Sequence, residues 1–167
     1  NNGASEKTPL AGFPYHSIEK HMPKLINAGY KVAICEQTED PAQAKGIVKR
    51  EVVEVITRGT TINDNCLDSK TNNYIAAIVT GDKVTGLAYL DITTGLFAVM
   101  EGTQGQVEDE IYRLNIRELL FSEESDLPKA LKVICTEEKI LTTPMAKFHF
   151  SLKESIETLT DQFSVHS

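Results

Sequence analysis

Residues 74–101, YIAAIVTGDKVTGLAYLDITTGLFAVME, decide the fold of this chain. Three runs rich in β-branched and aromatic residues, Tyr74–Thr80, Val84–Asp91 and Leu96–Glu101, are separated by Gly81-Asp82-Lys83 and by Thr93-Thr94-Gly95. Short Gly-containing connections of this kind join neighbouring antiparallel strands, so the three runs form a meander. Downstream the apolar period lengthens to that of a helix: Val107, Ile111 and Leu114 share one face. Glu118–Phe121 then reads as a short strand and Val133–Cys135 as another. A strand–helix–strand order implies a parallel crossover added to the meander. Phe148 and Phe150 alternate around His149 like a final short strand. Ser151 and Glu154 have the spacing of a capping box, ahead of a helix striped by Leu152, Ile156, Leu159 and Phe163. Three antiparallel strands followed by alternating helices and strands give a ribonuclease-H-like α/β domain, a mixed sheet flanked by helices.

The upstream part is also mixed α/β. Ile18, Met22, Leu25 and Ile26 lie on one helical face, with Ser17 placed to cap the start and Gly29 where a left-handed C-terminal residue is wanted. Pro23 removes a backbone donor beyond the first turn, so the helix should kink there or begin later than Ser17. Tyr30–Cys35 reads as a strand apolar enough for burial on both faces, with Cys35 packed as a small hydrophobe. Pro41 suits the first position of a short helix, and Val48–Ile56 is a long strand bearing Lys49, Arg50, Glu51 and Glu54. Residues 57–73 are rich in Thr, Asn, Asp and Gly and mark a boundary between two units, 1–60 and 61–167.

Charge divides in the same place. The chain of 167 residues carries a net charge of −7, but residues 1–60 hold 8 Lys/Arg against 7 Asp/Glu while residues 61–167 hold 9 against 17. The second unit is a poor candidate for sequence-independent phosphate binding, which rests on Lys and Arg. In the first, a nucleic-acid site must be local. The three cysteines, at 35, 66 and 135, are odd in number and far apart, against both a disulfide scaffold and a zinc knuckle. Reduced thiols, no apolar run long enough to span a membrane and no export leader together lead us to expect a cytoplasmic protein. The chain opens Asn1-Asn2-Gly3 without Met and reads as a fragment.

Most catalytic chemistry fails on the residues. Gly81-Asp82-Lys83 lacks the second Gly, the Ser/Thr and the helix of a phosphate loop. Two-metal nuclease cleavage needs converging carboxylates, yet Tyr74–Thr80 carries no acid, and Asp91 beside Thr93 and Thr94 reads as a turn cap. His16 and His21 near Cys35 do not make a nucleophile–base pair, and His149 and His166 are isolated. Lys45, Lys49 and Arg50 form the one local basic group; because Lys49 and Arg50 are strand neighbours, they point to opposite faces.

Motifs then carry a resemblance that composition could not. Pro9-Leu10-Ala11-Gly12-Phe13-Pro14-Tyr15-His16, Gly29-Tyr30-Lys31-Val32-Ala33-Ile34-Cys35-Glu36-Gln37 and Glu39-Asp40-Pro41 through Lys45-Gly46-Ile47-Val48-Lys49-Arg50-Glu51-Val52-Val53, in this spacing, resemble the MutS family of bacterial DNA mismatch repair proteins. Leu90-Asp91-Ile92-Thr93-Thr94-Gly95 resembles that family's connector. The resemblance implies that 1–60 is the second half of a mismatch-recognition domain and 61–167 most of a ribonuclease-H-like connector. It implies duplex DNA with mispaired or unpaired bases as a partner, met in the minor groove at a kink, a homodimeric parent, and recruitment of MutL. By the same resemblance Leu10 lies beside the intercalating wedge, and Lys49 and Arg50 lie near the DNA backbone. The family's Phe-x-Glu mismatch reader and its ATPase, with ATP and Mg²⁺, have no counterpart among these residues. No catalysis is therefore expected of this chain. The rival readings are a MutL-docking module without DNA binding and, behind it, a metal-dependent nuclease. Arg58 stands where the family's Thr-Pro-Gly-Thr has Pro, which implies a less stiff linker.

Overall fold

A computed structural model describes residues 12–44, 46–61 and 72–165. Leu10, Lys45, Cys66 and His166 lie outside them. Within them, the meander forms as its sequence dictates. Strands β3 (Tyr74–Thr80), β4 (Thr85–Asp91) and β5 (Leu96–Gly102) pair antiparallel without a register break. Gly95, with φ +74°, makes the second turn possible. The chain then crosses over through helix α2 (Gln104–Leu114) to β6 (Glu118–Ser122), parallel to β3, and through α3 (Lys129–Glu137) to β7 (Leu141–Met145), parallel to β6. The sheet order β5-β4-β3-β6-β7 is the mixed, ribonuclease-H-like arrangement expected.

One face of this sheet holds the core. Tyr74, Ala76, Ile78, Leu87 and Leu119 meet Val107 and Ile111 of α2 and Leu131 and Cys135 of α3, with Ile116, Leu127 and Ile140 closing the ends. Helix α2 is started by a true capping box, Thr103 and Gln106 bonding reciprocally, and stopped by Asn115 in the left-handed conformation.

Three expectations are corrected here. Val133–Cys135 is helix, not strand: Leu127, Leu131 and Cys135 recur every four residues and are all buried, a period that a three-residue β-branched window conceals. Lys147–Phe150 is a 3₁₀ turn, with the Phe148 and His149 rings tilted at 36° and 3.9 Å between centroids. Helix α4 (Leu152–Phe163) begins after Ser151, but no side-chain cap bond forms there.

The upstream unit is a helix on a two-stranded ribbon. Helix α1 (Ile18–Asn27) follows a 3₁₀ turn at Tyr15–Ser17 and runs through Pro23, burying Met22 and Ile26. Ser17 occupies the cap position without a side-chain bond. The C-terminus is a Schellman motif: Tyr30 N–H donates to Leu25 O and Gly29 N–H to Ile26 O, with Gly29 at φ +86°. Strands β1 (Val32–Gln37) and β2 (Arg50–Ile56) pair antiparallel, with a bulge that makes Val53 the extra residue. Burial on both faces does not occur. Cys35 is exposed, and Val52, Val53 and Val55 are each more than half exposed, while α1 packs on β1. Pro41 initiates a turn rather than a helix: Asp40 Oδ1 accepts from Ala42 N–H at 2.9 Å and ties the backbone locally.

Leu119, fully buried on β6, is part of the core between the sheet and its helices. Leu119→Ala should cost about 3 kcal/mol in urea denaturation. Leu152→Ala, on a side chain 76% exposed, should stay within about 0.5 kcal/mol.

Candidate nucleic-acid interface and its attachment

The basic group sits where the ribbon begins. Lys49 immediately precedes β2. Its carbonyl accepts from Thr38 N–H at 3.0 Å, and its own N–H donates to Glu39 Oε1 at 2.6 Å. Its ammonium is paired with Glu51 at 2.6 Å. Both partners are well exposed, so the pair is worth under about 1 kcal/mol. It nonetheless occupies the charge. Arg50 opens β2 opposite Gln37 and donates weakly to Val48 O at 3.4 Å. It forms no ion pair among the described residues. Glu36 stands directly across from Glu51, a like-charge placement that the Lys49 ammonium offsets. Of the site residues read from the sequence, Lys49 and Arg50 are thus brought together at one end of the ribbon, Arg50 with its charge uncommitted. Leu10 lies outside the described residues.

At its other end the ribbon is fastened to the large sheet, through residues that sequence reasoning did not single out. β2 ends at Ile56, and the next residues form the turn Thr57–Thr61. The carboxylate of Glu118, at the head of β6, accepts a short hydrogen bond from the Thr57 hydroxyl, one from Gly59 N–H at 3.3 Å and one from the Thr143 hydroxyl on β7 at 2.7 Å. Asn73, just before β3, donates from its side-chain amide to Gly59 O at 3.3 Å and to Thr61 O at 3.4 Å. Arg58 donates to Lys139 O at 2.9 Å, beyond the end of α3, a helix with no cation of its own in its last turn. Burial, and then the nearby Arg117 guanidinium, hold Arg58 below the ordinary arginine range. Glu118 is in register with Ile75, on the sheet face opposite the core, yet only 2% exposed because this turn covers it. Gly59 is required by the close approach: a Cβ there would lie 2.8 Å from Glu118 Cβ and 3.1 Å from Ile75 Cβ.

Asp91 Oδ1 accepts from the Thr93 hydroxyl at 2.6 Å and from Thr93 N–H at 2.9 Å, capping the turn as its sequence context implies. Burial pushes the Cys135 thiol up to about 11, which removes it as a nucleophile at neutral pH. Among the described residues no cluster of three or more His, Cys, Asp or Glu could hold a metal ion, and no helix is long and apolar enough to cross a membrane.

Two family models match successive parts of the chain. Residues 1–65 match the family model of MutS domain I and residues 73–167 that of MutS domain II. The chain belongs to the MutS family. A DNA mismatch repair protein MutS of Chlorobium phaeovibrioides is 40% identical over 173 residues, covering 100% of this chain and 20% of that protein. Relatives of the same name from Syntrophomonas wolfei and Pelotomaculum thermopropionicum are 40% identical over 172 residues and 49% over 123, covering 100% and 71% of this chain. The chain spans about a fifth of the length of the first two relatives. In this MutS-family chain, the turn Thr57–Thr61 falls inside the domain I match, whereas Asn73, Glu118, Lys139 and Thr143, which hold it, fall inside the domain II match.

Asp91 gives a pH test of the connector turn. Burial alone would raise its carboxyl, but the Thr93 hydroxyl and backbone hydrogen bonds outweigh it and hold the folded-state value below the ordinary aspartate range. Its ionised form therefore stabilises the fold at neutral pH, and that contribution is lost as pH falls through the lowered value. Asp91→Asn should lower the unfolding temperature at neutral pH, and the gap should close on acidification below the ordinary aspartate range.

Proposed function

We propose that this chain is the DNA-facing and connecting part of a mismatch repair protein. It comprises the second half of a mismatch-recognition domain, 1–60, and most of a connector, 61–167. In this reading the ribbon supplies part of the minor-groove and backbone contact. Arg50 meets a phosphate, Lys49 is a weaker second contact, and Leu10 lies beside the mismatched pair. The observation that supports this assignment is the uncommitted, exposed charge of Arg50 at the head of β2, beside a Lys49 already paired with Glu51. The connector relays the bound state to an ATPase elsewhere in the parent, where ATP and Mg²⁺ bind, and to MutL. The chain itself performs no catalysis, and the parent acts as a homodimer in the bacterial cytoplasm at the nucleoid.

A second reading, docking to MutL alone, draws on α4. Ile156, Leu159 and Phe163 of its apolar stripe are 43–53% exposed on a unit with 17 Asp/Glu against 9 Lys/Arg. Crosslinking of the intact chain to purified MutL, with and without duplex DNA, separates the two.

DNA contact is tested by fluorescence anisotropy on mismatched duplex across a salt series, in the full-length protein. Arg50→Ala should weaken binding and reduce the salt slope by about one. Lys49→Ala should do less, because its ion pair with Glu51 must first open. Unchanged affinity and slope in Arg50→Ala would remove Arg50 from the interface.

A further inference from the structure

We propose that Glu118 is a positioning residue that locks the recognition ribbon onto the connector, so that a displacement of β2 is carried into β6 and β7 rather than absorbed by a free linker. Three observations converge on this. First, no slack separates strand from clamp: β2 ends at Ile56, and Thr57 already donates to Glu118. Second, the donors arrive from both units. Thr57 and Gly59 come from the ribbon side and Thr143 from β7, so one buried carboxylate is shared between them. A carboxylate out of water is tolerated only while its oxygens are answered by donors. No cation pairs with Glu118 among the described residues. Departure of the turn would remove two of the carboxylate's three donors, Thr57 and Gly59. Third, Gly59 is gripped on both sides, its N–H by Glu118 and its carbonyl by Asn73, and no side chain fits at that position.

The geometry makes β2 a lever. Its seven residues, at about 3.3 Å each, place Arg50 roughly 20 Å from the clamp. Arg58 adds a second tether, its guanidinium donating to Lys139 O at 2.9 Å. The inference rests on the two-unit reading but not on DNA contact by Arg50.

The test is made without DNA, so that its failure is distinct from failure of that contact. Residual dipolar couplings are measured on the weakly aligned, isotopically labelled 167-residue chain, for amides of β1–β2 and of β3–β7 separately. In the native chain one alignment tensor should fit both sets. In Glu118→Ala the shared tensor should be lost, with the ribbon couplings reduced relative to those of the sheet. Gly59→Ala attacks the same contact from the turn, its Cβ falling 2.8 Å from Glu118 Cβ, and decides the matter alone if Glu118→Ala does not fold. A purely structural role for Glu118 would lower the unfolding temperature and leave the common tensor intact. That result, or a native chain already needing two tensors, overturns the proposal.

Discussion

A carboxylate removed from water constrains everything packed around it, and in this chain the constraint falls on Glu118. The residue lies at the head of a strand in the middle of the second unit, on the face that the helices α2 and α3 do not cover. What shields it is the turn Thr57–Thr61, a piece of the preceding unit. The two units are thus not simply strung together. The connector's second face is completed by the chain that leads into it, and among the described residues the turn is held by its donors to Glu118, by Asn73 on Gly59 O and Thr61 O, and by Arg58 on Lys139 O.

How much of this was legible in the sequence depended on how local the physics was. The meander could be read because alternation along Tyr74–Thr80 and Thr85–Asp91 and the short Thr93-Thr94-Gly95 turn are properties of a few consecutive residues. The strand assigned to Val133–Cys135 failed because three β-branched or small apolar residues satisfy either period. The helix becomes visible only when Leu127 and Leu131 are counted with Cys135. Tyr30–Cys35 failed differently. Its apolar run predicts burial, but burial is supplied by neighbours, and a two-stranded ribbon with one helix cannot cover both faces.

The candidate site shows the same divide. Lys49 and Arg50 stand out in the sequence by charge and adjacency, although β2 begins at Arg50 and Lys49 precedes it rather than alternating with it on the strand. The Glu51 partner of Lys49 is likewise a short-range feature. Glu118 was missed because its partners lie 61, 59 and 25 residues away. The one signal available was a glutamate opening an otherwise apolar strand, Glu118-Leu119-Leu120-Phe121, where an unpaired charge would be costly. A glutamate in that setting asks for distant donors, and Thr57, Gly59 and Thr143 are ordinary residues until the fold assembles them.

The uneven charge of the chain takes on a physical meaning in this light. The ribbon's cations sit among Glu36, Glu39 and Glu51, so the recognition half offers no broad positive field. Without such a field, long-range electrostatic steering contributes little to encounter, and a DNA contact through Arg50 depends on where that single guanidinium is held. Position then matters more than charge. A cation at the tip of a two-stranded ribbon is only as well placed as the ribbon's base, and the base is the clamp on Glu118. If the proposed contact through Arg50 holds, the acidic second unit serves it by fixing the base of the strand that carries that guanidinium.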